Sequence, residues 1–154
     1  MNDQTRKLLS SLQRQCSRRE YCSEDIYRKA MLKLSGDADA ARELLEALKE
    51  EGYVDDLRYA GAFAREKAGI SGWGPVKIRF ALSAKKIDRA TVDAALGEID
   101  ESGADARLSR LLENKFKSLE SDPQAKLKLL KFALGRGYEY DRVRSLVDRI
   151  CSGD

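Results

Sequence analysis

The side chains with the widest chemical reach are the cations between residues 58 and 92, where eight basic residues stand against two acidic ones. At 100° per residue, Arg58, Ala62 and Arg65 share one stripe of a helix, opposite Tyr59 and Phe63. Arg79, Ser83 and Lys86 form a matching stripe on the next helix, away from Val76 and Phe80. Lys85, Lys86 and Arg89 then cluster around the following turn. Two readings suit such stripes: a solvated outer face, or contact with phosphates or an acidic protein surface. The excess of eight over two goes beyond what solubility requires and favours contact. Between the two helices lies Ile70-Ser71-Gly72-Trp73-Gly74-Pro75, which holds the only Trp. A Gly-rich turn ahead of a helix can cradle phosphate at exposed N–H groups. This one lacks the Lys-Ser/Thr of a phosphate-binding loop and follows a helix, so it is a poor nucleotide loop. Trp73 is either a staple folded over the helix junction or an aromatic contact to a partner.

Other chemistries have few candidates. With no histidine among 154 residues, imidazole catalysis, Ser–His–Asp triads and His-ligated metals are excluded. Cys16, Cys22 and Cys151 lack C-x-x-C spacing and are odd in number, which predicts reduced thiols and no metal site. The carboxylates, such as Glu50, Glu51, Asp55 and Asp56, come as adjacent pairs near helix ends. Capping and dipole effects explain them better than acid–base catalysis. No stretch reads as a signal peptide or reaches the ~20 apolar residues of a membrane span. These observations predict a cytoplasmic protein that is not an enzyme and needs no cofactor.

The elements that must position the cations are helices. Sustained β-branched alternation is missing, whereas helical periodicity recurs along the chain, which predicts an all-α fold of eight or nine short helices. Leu44, Leu45 and Leu48 mark one helix, with Asp37 and Asp39 as candidate caps. Tyr59, Ala60, Phe63 and Ala64 mark another, opened by Asp55 and Asp56. Pro75 suits a first turn. Asp122-Pro123 is expected to open the helix through Phe132, and Asp141 to cap the last one, whose apolar face is Val143, Leu146, Val147 and Ile150. The apolar arc Leu127, Leu129, Leu130, Phe132, Ala133 and Leu134 predicts a central helix. Charge is segregated as well: residues 23–57 carry five basic and ten acidic groups, and residues 93–122 four and eight.

A repeat emerges when the helices are stacked. Leu34-Ser35 matches Leu82-Ser83 at a shift of 48, carrying Leu44 and Leu48 onto Val92 and Leu96. Phe80-Ala81-Leu82 returns as Phe132-Ala133-Leu134 after 52 residues, while Ile87, Val92, Leu96 and Ile99 match Tyr138, Val143, Val147 and Ile150 after 51. The expectation is one continuous, elongated and curved array of three three-helix repeats, 1–52, 53–103 and 104–154, each completing its core against its neighbours.

Three stretches carry a family resemblance. Tyr21 through Lys29, YCSEDIYRK, is similar to the opening "R-x-S-x-x-E-L-x-x-K-L" of the bacterial RecX regulators. LEALKEEGYVDD (residues 45–56), with RYAGAFAREKAGISGWGPVKIRFALSAKKID after it, resembles their "L-x-x-x-G-Y-L-D-D-x-x-F-A" and "G-x-G-P-x-x-I-x-x-x-L-x-x-K-G-I" core. KFALGRGY (residues 131–138) resembles the closing "F-L-x-R-G-F". Lys86 stands where that family commonly has Gly. The resemblance implies three tandem three-helix repeats, no catalytic residues, and a regulatory protein, expected as a monomer, that binds filaments of the RecA recombinase on DNA and inhibits recombinase, ATPase and coprotease activity. The alternative is a direct DNA-binding helical-repeat protein independent of RecA. On either reading the expected contact residues are Arg58, Arg65, Trp73, Arg79, Lys85, Lys86 and Arg89.

Overall fold

The computed structural model describes residues 1–99 and 103–153. Among them are nine helices and no strand: α1 (Asp3–Arg18), α2 (Ser23–Lys33), α3 (Ala38–Glu50), α4 (Asp56–Gly69), α5 (Pro75–Ala84), α6 (Arg89–Gly97), α7 (Ala104–Ser118), α8 (Ala125–Gly135) and α9 (Tyr140–Ser152). The chain divides into two compact units. The first is built from residues 1–62 and 82–94, the second from 63–81 and 95–154, so α4, α5 and α6 each contribute to both.

In the first unit α1, α2 and α3 close over Leu12, Ile26, Ala30, Leu34, Ala41, Leu44, Leu48 and Val54. Helix α3 shows why this segment is helical. Its sequence is rich in Ala, Leu and Glu, the residues that lose least on entering a helix. Asp37 caps it by accepting from the Ala40 N–H at 3.1 Å, and Gly52 at φ +80° turns the chain out of the last turn. Asp39 lies in the first turn instead. Asp55 Oδ1 accepts from the Arg58 N–H at 3.0 Å and so caps α4. Asp56, expected to share that task, reaches back to accept from the Ser23 N–H at 2.7 Å.

In the second unit α7, α8 and α9 bury Leu108, Leu112, Leu129, Ala133, Tyr138, Val143, Leu146 and Val147. Pro75 opens α5 as expected. Four expectations are corrected. Asp141 lies inside the first turn of α9, whose cap position is Glu139, and Asp122 caps the turn before α8 by accepting from the Gln124 N–H at 2.8 Å. Helix α8 packs on one side only: Leu129 and Ala133 are buried while Leu127 and Leu134 are 47% and 41% exposed. The core face of α5 is Ile78 and Leu82, with no exposed surface, whereas Val76 and Phe80 are 51% and 78% exposed. In a ten-residue helix with apolar residues at both spacings, only the neighbouring helices select the buried pair.

The shift of 51 recurs in the backbone. Left-handed backbone occurs at Ser35 (φ 53°), Lys86 (φ 58°) and Gly137 (φ 92°), 51 positions apart each time. At the same shift Ala41, Val92 and Val143 are fully buried, and Leu44, Ala95 and Leu146 follow them into the core. Ile78 and Leu82 thus correspond to Leu129 and Ala133, also 51 apart. The match at 52 pairs residues of unlike burial: Leu82 is fully buried, but Leu134, its counterpart, is 41% exposed. Left-handed residues mark the turn between two helices more reliably than apolar letters do.

Candidate nucleoprotein interface

Of the seven expected contact residues, Arg58, Lys85, Lys86 and Arg89 belong to the first unit, and Arg65, Trp73 and Arg79 to the second. Three of the first four hold the fold together. Arg58 Nε donates to Glu20 Oε1 at 2.7 Å, and its Nη2 donates to the Gly52 and Tyr53 carbonyls at 3.0 and 3.2 Å. The guanidinium thus ties the end of α1 to the turn before α4, and the Glu20 bond raises its pKa above the usual value. Lys85 Nζ donates to Asp25 Oδ1 at 2.7 Å. Burial pushes the Asp25 carboxyl up, but hydrogen bonds from Lys85 and Cys22 outweigh it and leave the pKa below the ordinary value. Lys86 Nζ lies 3.5 Å from Glu24 Oε1, which also takes Arg28 at 2.8 Å. Arg89 is exposed at the start of α6.

In the second unit the α4–α5 turn is locked on both sides. The Trp73 N–H donates to the Lys67 carbonyl at 2.8 Å, the Gly74 N–H to the Arg136 carbonyl at 2.7 Å, and the Val76 N–H to the Gly137 carbonyl at 2.9 Å. The last two bonds need both glycines. A Cβ on Gly74 would come 2.6 Å from the Tyr138 nitrogen, and one on Gly137 would come 2.6 Å from the Lys77 nitrogen and collide with its Cβ. Trp73 packs edge-on against Phe63 with ring centroids 6.1 Å apart. The Lys67 and Lys77 ammonium groups sit 4.8 and 4.4 Å from its ring centre. Trp73 thus packs over the helix junction and carries two cations. Arg65 pairs with Glu98 at 3.4 Å, both well exposed.

A further group of cations lies outside the seven predicted residues. A cleft of about 550 Å³ is lined by Arg107, Arg110, Leu111 and Asn114 of α7, the chain from Ala68 to Gly72, and Arg136. Among the described residues, no carboxylate lines it. Arg136 is set by its Nη1 donating to the Ser71 carbonyl at 2.9 Å, with its guanidinium 5.3 Å from the centre of the Phe132 ring. A second cleft of about 340 Å³ shares Ala68 and Arg107 and adds Trp73, Tyr138, Arg79, Arg142 and Glu139. Tyr138 is oriented by its hydroxyl donating to the Gly72 carbonyl at 3.1 Å, while Arg142 is drawn to Asp105 at 3.1 Å. Arg107, Arg110 and Asn114 at i, i+3 and i+7 form a legible stripe. They were hidden because residues 93–122 are acidic in sum, with eight acidic groups against four basic. Among the described residues, no group of three or more Cys, Asp or Glu is placed to hold a metal ion, and no helix is long and apolar enough to cross a membrane.

Residues 55–96 match the second three-helix domain of RecX. The chain is 31% identical to regulatory protein RecX of Pseudomonas entomophila over 139 residues, 89% of this chain and 84% of that protein. It is 32% identical to regulatory protein RecX of Xanthomonas axonopodis pv. citri over 132 residues, 83% and 78% of the two chains. The crystal structure of RecX from Lactobacillus salivarius superposes with a TM-score of 0.84 over 99% of both chains at 20% identity, a likeness of fold.

Proposed function

Because the chain belongs to the RecX family of regulatory proteins, we propose that it binds the RecA–DNA filament and negatively modulates recombinase, ATPase and coprotease activity. The observation that carries this reading is the match to proteins named regulatory protein RecX over most of both chains. It acts by binding, without catalytic residues or cofactor, in the cytoplasm and as a monomer. The division into repeats 1–52, 53–103 and 104–154 is kept as part of the proposal.

The outer face of α5 supports a partner. Phe80 is 78% exposed and Val76 51%, an apolar pair that a solvated helix has no reason to present beside Lys77 and Arg79. Among the predicted residues, Arg89 is exposed at the start of α6. Arg58 and Lys85 are engaged inside the first unit, and taking them into an interface would break existing bonds.

The test is RecA-dependent ATP hydrolysis titrated with this protein at two salt concentrations. Inhibition that weakens with salt is expected, because exposed ionic contacts are screened. Arg79→Glu with Lys86→Glu, and separately Phe80→Ser, should each weaken inhibition while helix content by circular dichroism stays unchanged. A wild-type chain that leaves RecA hydrolysis untouched refutes the reading.

A further inference from the structure

One kind of joint is built twice in this chain, once inside each compact unit. In the first unit the turn that leaves α5 sits on the N-terminus of α2. There Lys85 Nζ donates to Asp25 Oδ1 at 2.7 Å, and Lys86 Nζ lies 3.5 Å from Glu24 Oε1. In the second unit the turn that leaves α8 sits on the N-terminus of α5, with the Val76 N–H donating to the Gly137 carbonyl at 2.9 Å. Ion pairs hold one joint and backbone bonds the other, but the fitted parts agree. Each turn has a left-handed residue, Lys86 or Gly137, and the N–H after it reaches back five residues, from Ile87 to Leu82 and from Tyr138 to Ala133.

The chain holds a third turn of this kind and a third helix start. In the α2–α3 turn Ser35 is left-handed at φ 53°, 51 positions before Lys86, and the Gly36 N–H donates to the Met31 carbonyl at 2.9 Å. Ser35 and Gly36 are exposed, and nothing lies within 4 Å of a Cβ added to Gly36. At the start of α8, Lys126, Leu127 and Lys128 are exposed as well. They stand 51 positions after Pro75, Val76 and Lys77. Among the described residues, therefore, both halves of a further joint are present and open, and stacked repeats bury such surfaces only against a neighbour.

The two open halves carry opposite charge. In the second unit Glu139, just past the turn, and Pro75 face the same cleft. Two shifts of 51 carry Glu139 back to Asp37, and one carries Pro75 on to Lys126. A further joint of this kind thus brings a carboxylate to an ammonium group. Asp37, Asp39 and Glu43 are exposed on the side of the turn, and Lys126, Lys128 and Lys131 on the side of the helix start. Lys126 already pairs with Asp148 at 2.7 Å, but an ammonium has three N–H donors and can take a second carboxylate.

We propose that copies of this chain associate head to tail, the α2–α3 turn of one seated on the N-terminus of α8 in the next, with Asp37 opposite Lys126 and Ser35 beside Lys128. The two surfaces differ, so the contact is heterologous and can add copy after copy. Exposed ion pairs are weak, so a dilute chain stays single and association belongs to high local concentration. The inference rests on the internal repeat and not on the reading of RecA as partner.

The test mixes two full-length chains, both with Cys151→Ser to remove the exposed thiol, one carrying Ser35→Cys and the other Lys128→Cys. The equivalent residues of the second unit are in contact, since a Cβ on Gly137 would collide with that of Lys77. A short bismaleimide should therefore join residue 35 of one chain to residue 128 of the other, as mapped by peptide mass spectrometry. Sedimentation velocity of the parent should show average mass rising with concentration. Asp37→Asn, which keeps an N-cap for α3, combined with Lys126→Gln should lower the mixed yield about two- to fivefold, the range of an exposed ion pair, with helix content unchanged. Arg144→Cys, exposed on α9, should give no product in place of Lys128→Cys. Absence of the mixed product together with a single sedimenting species at every concentration overturns the proposal. So does a product joining residue 35 to residue 35 or residue 128 to residue 128, which would assign symmetric pairing. An equal yield with Arg144→Cys would mean random collision, and an unchanged yield in Asp37→Asn with Lys126→Gln would mean another register; each overturns it. None of these results bears on inhibition of RecA.

Discussion

Gly137→Ala and Gly52→Ala make the same chemical change at two left-handed positions, φ +92° and φ +80°, yet should differ several-fold in cost. Either alanine incurs the ~1–2 kcal/mol of placing a side chain in left-handed backbone, less the ~0.4–1 kcal/mol gained by restricting the unfolded chain. At Gly52 nothing lies within 4 Å of the added Cβ, so the net loss is about 1 kcal/mol. At Gly137 the methyl group collides with the Lys77 side chain and comes 2.6 Å from its nitrogen. Backbone cannot yield as a flexible side-chain end can. The chain must either accept overpacking, ~1–3 kcal/mol, or separate and lose the bonds from Gly74 to Arg136 and from Val76 to Gly137, at ~0.5–1.5 kcal/mol each. Gly137→Ala should therefore cost roughly 2–4 kcal/mol, a large share of the ~5–15 kcal/mol of a typical domain. Urea denaturation followed by circular dichroism compares the two variants. Native-state hydrogen exchange of the Gly74 and Val76 amides reports the damaged turn separately and should show both exchanging faster in Gly137→Ala. Equal destabilisation of the two variants, with both amides protected as in the parent, would refute the reasoning.

Three further outcomes are expected. The folded-state pKa of Asp25 is depressed and that of Lys85 raised, so their pair contributes stability above the ordinary aspartate range and below the ordinary lysine range. On the acid side it is lost as pH falls through the folded Asp25 value, and the urea-midpoint gap between parent and Asp25→Asn should shrink below about pH 4; a gap constant from pH 6 to pH 2 contradicts the pairing. Lys86→Gly should be more stable than Lys86→Ala by about 0.5–1 kcal/mol, since both lose the exposed contact to Glu24 but only glycine is unstrained at φ 58°; the order usual inside helices, alanine above glycine, would show the position is not left-handed. Burial pushes the Cys22 thiol up to about 11, and Cys151 is exposed, so iodoacetamide at pH 8 should label Cys151 first and Cys22 last, as read by peptide mass spectrometry, and prompt labelling of Cys22 would mean the first unit opens there.

Local chemistry carried much of this protein in its letters. Helical periodicity, Asp37 as a cap, Pro75 at a first turn and the recurring three-helix pattern are each decided within a few residues by backbone geometry and capping, so a linear reading recovers them. The family resemblance rested in part on the same kind of signal, because Gly72 and Gly137 sit in left-handed backbone, whereas Gly74 is needed for the close approach of the Gly137 carbonyl.

What a linear reading could not decide were choices between chemically equal options. Helix α5 offered Val76 with Phe80, or Ile78 with Leu82, and only the neighbouring helices settled which pair is buried. Arg58 and Lys85 read as outward cations, but their carboxylates, Glu20 and Asp25, lie 38 and 60 residues away. The arginine cleft draws on residues 68–72, α7 and Arg136, and its charge vanished in a block average over residues 93–122 that counts eight acids against four bases. Periodicity specifies which residues can face inward. Which of them do, and which charges meet, depends on contacts between segments far apart in the chain, and that belongs to the tertiary structure alone.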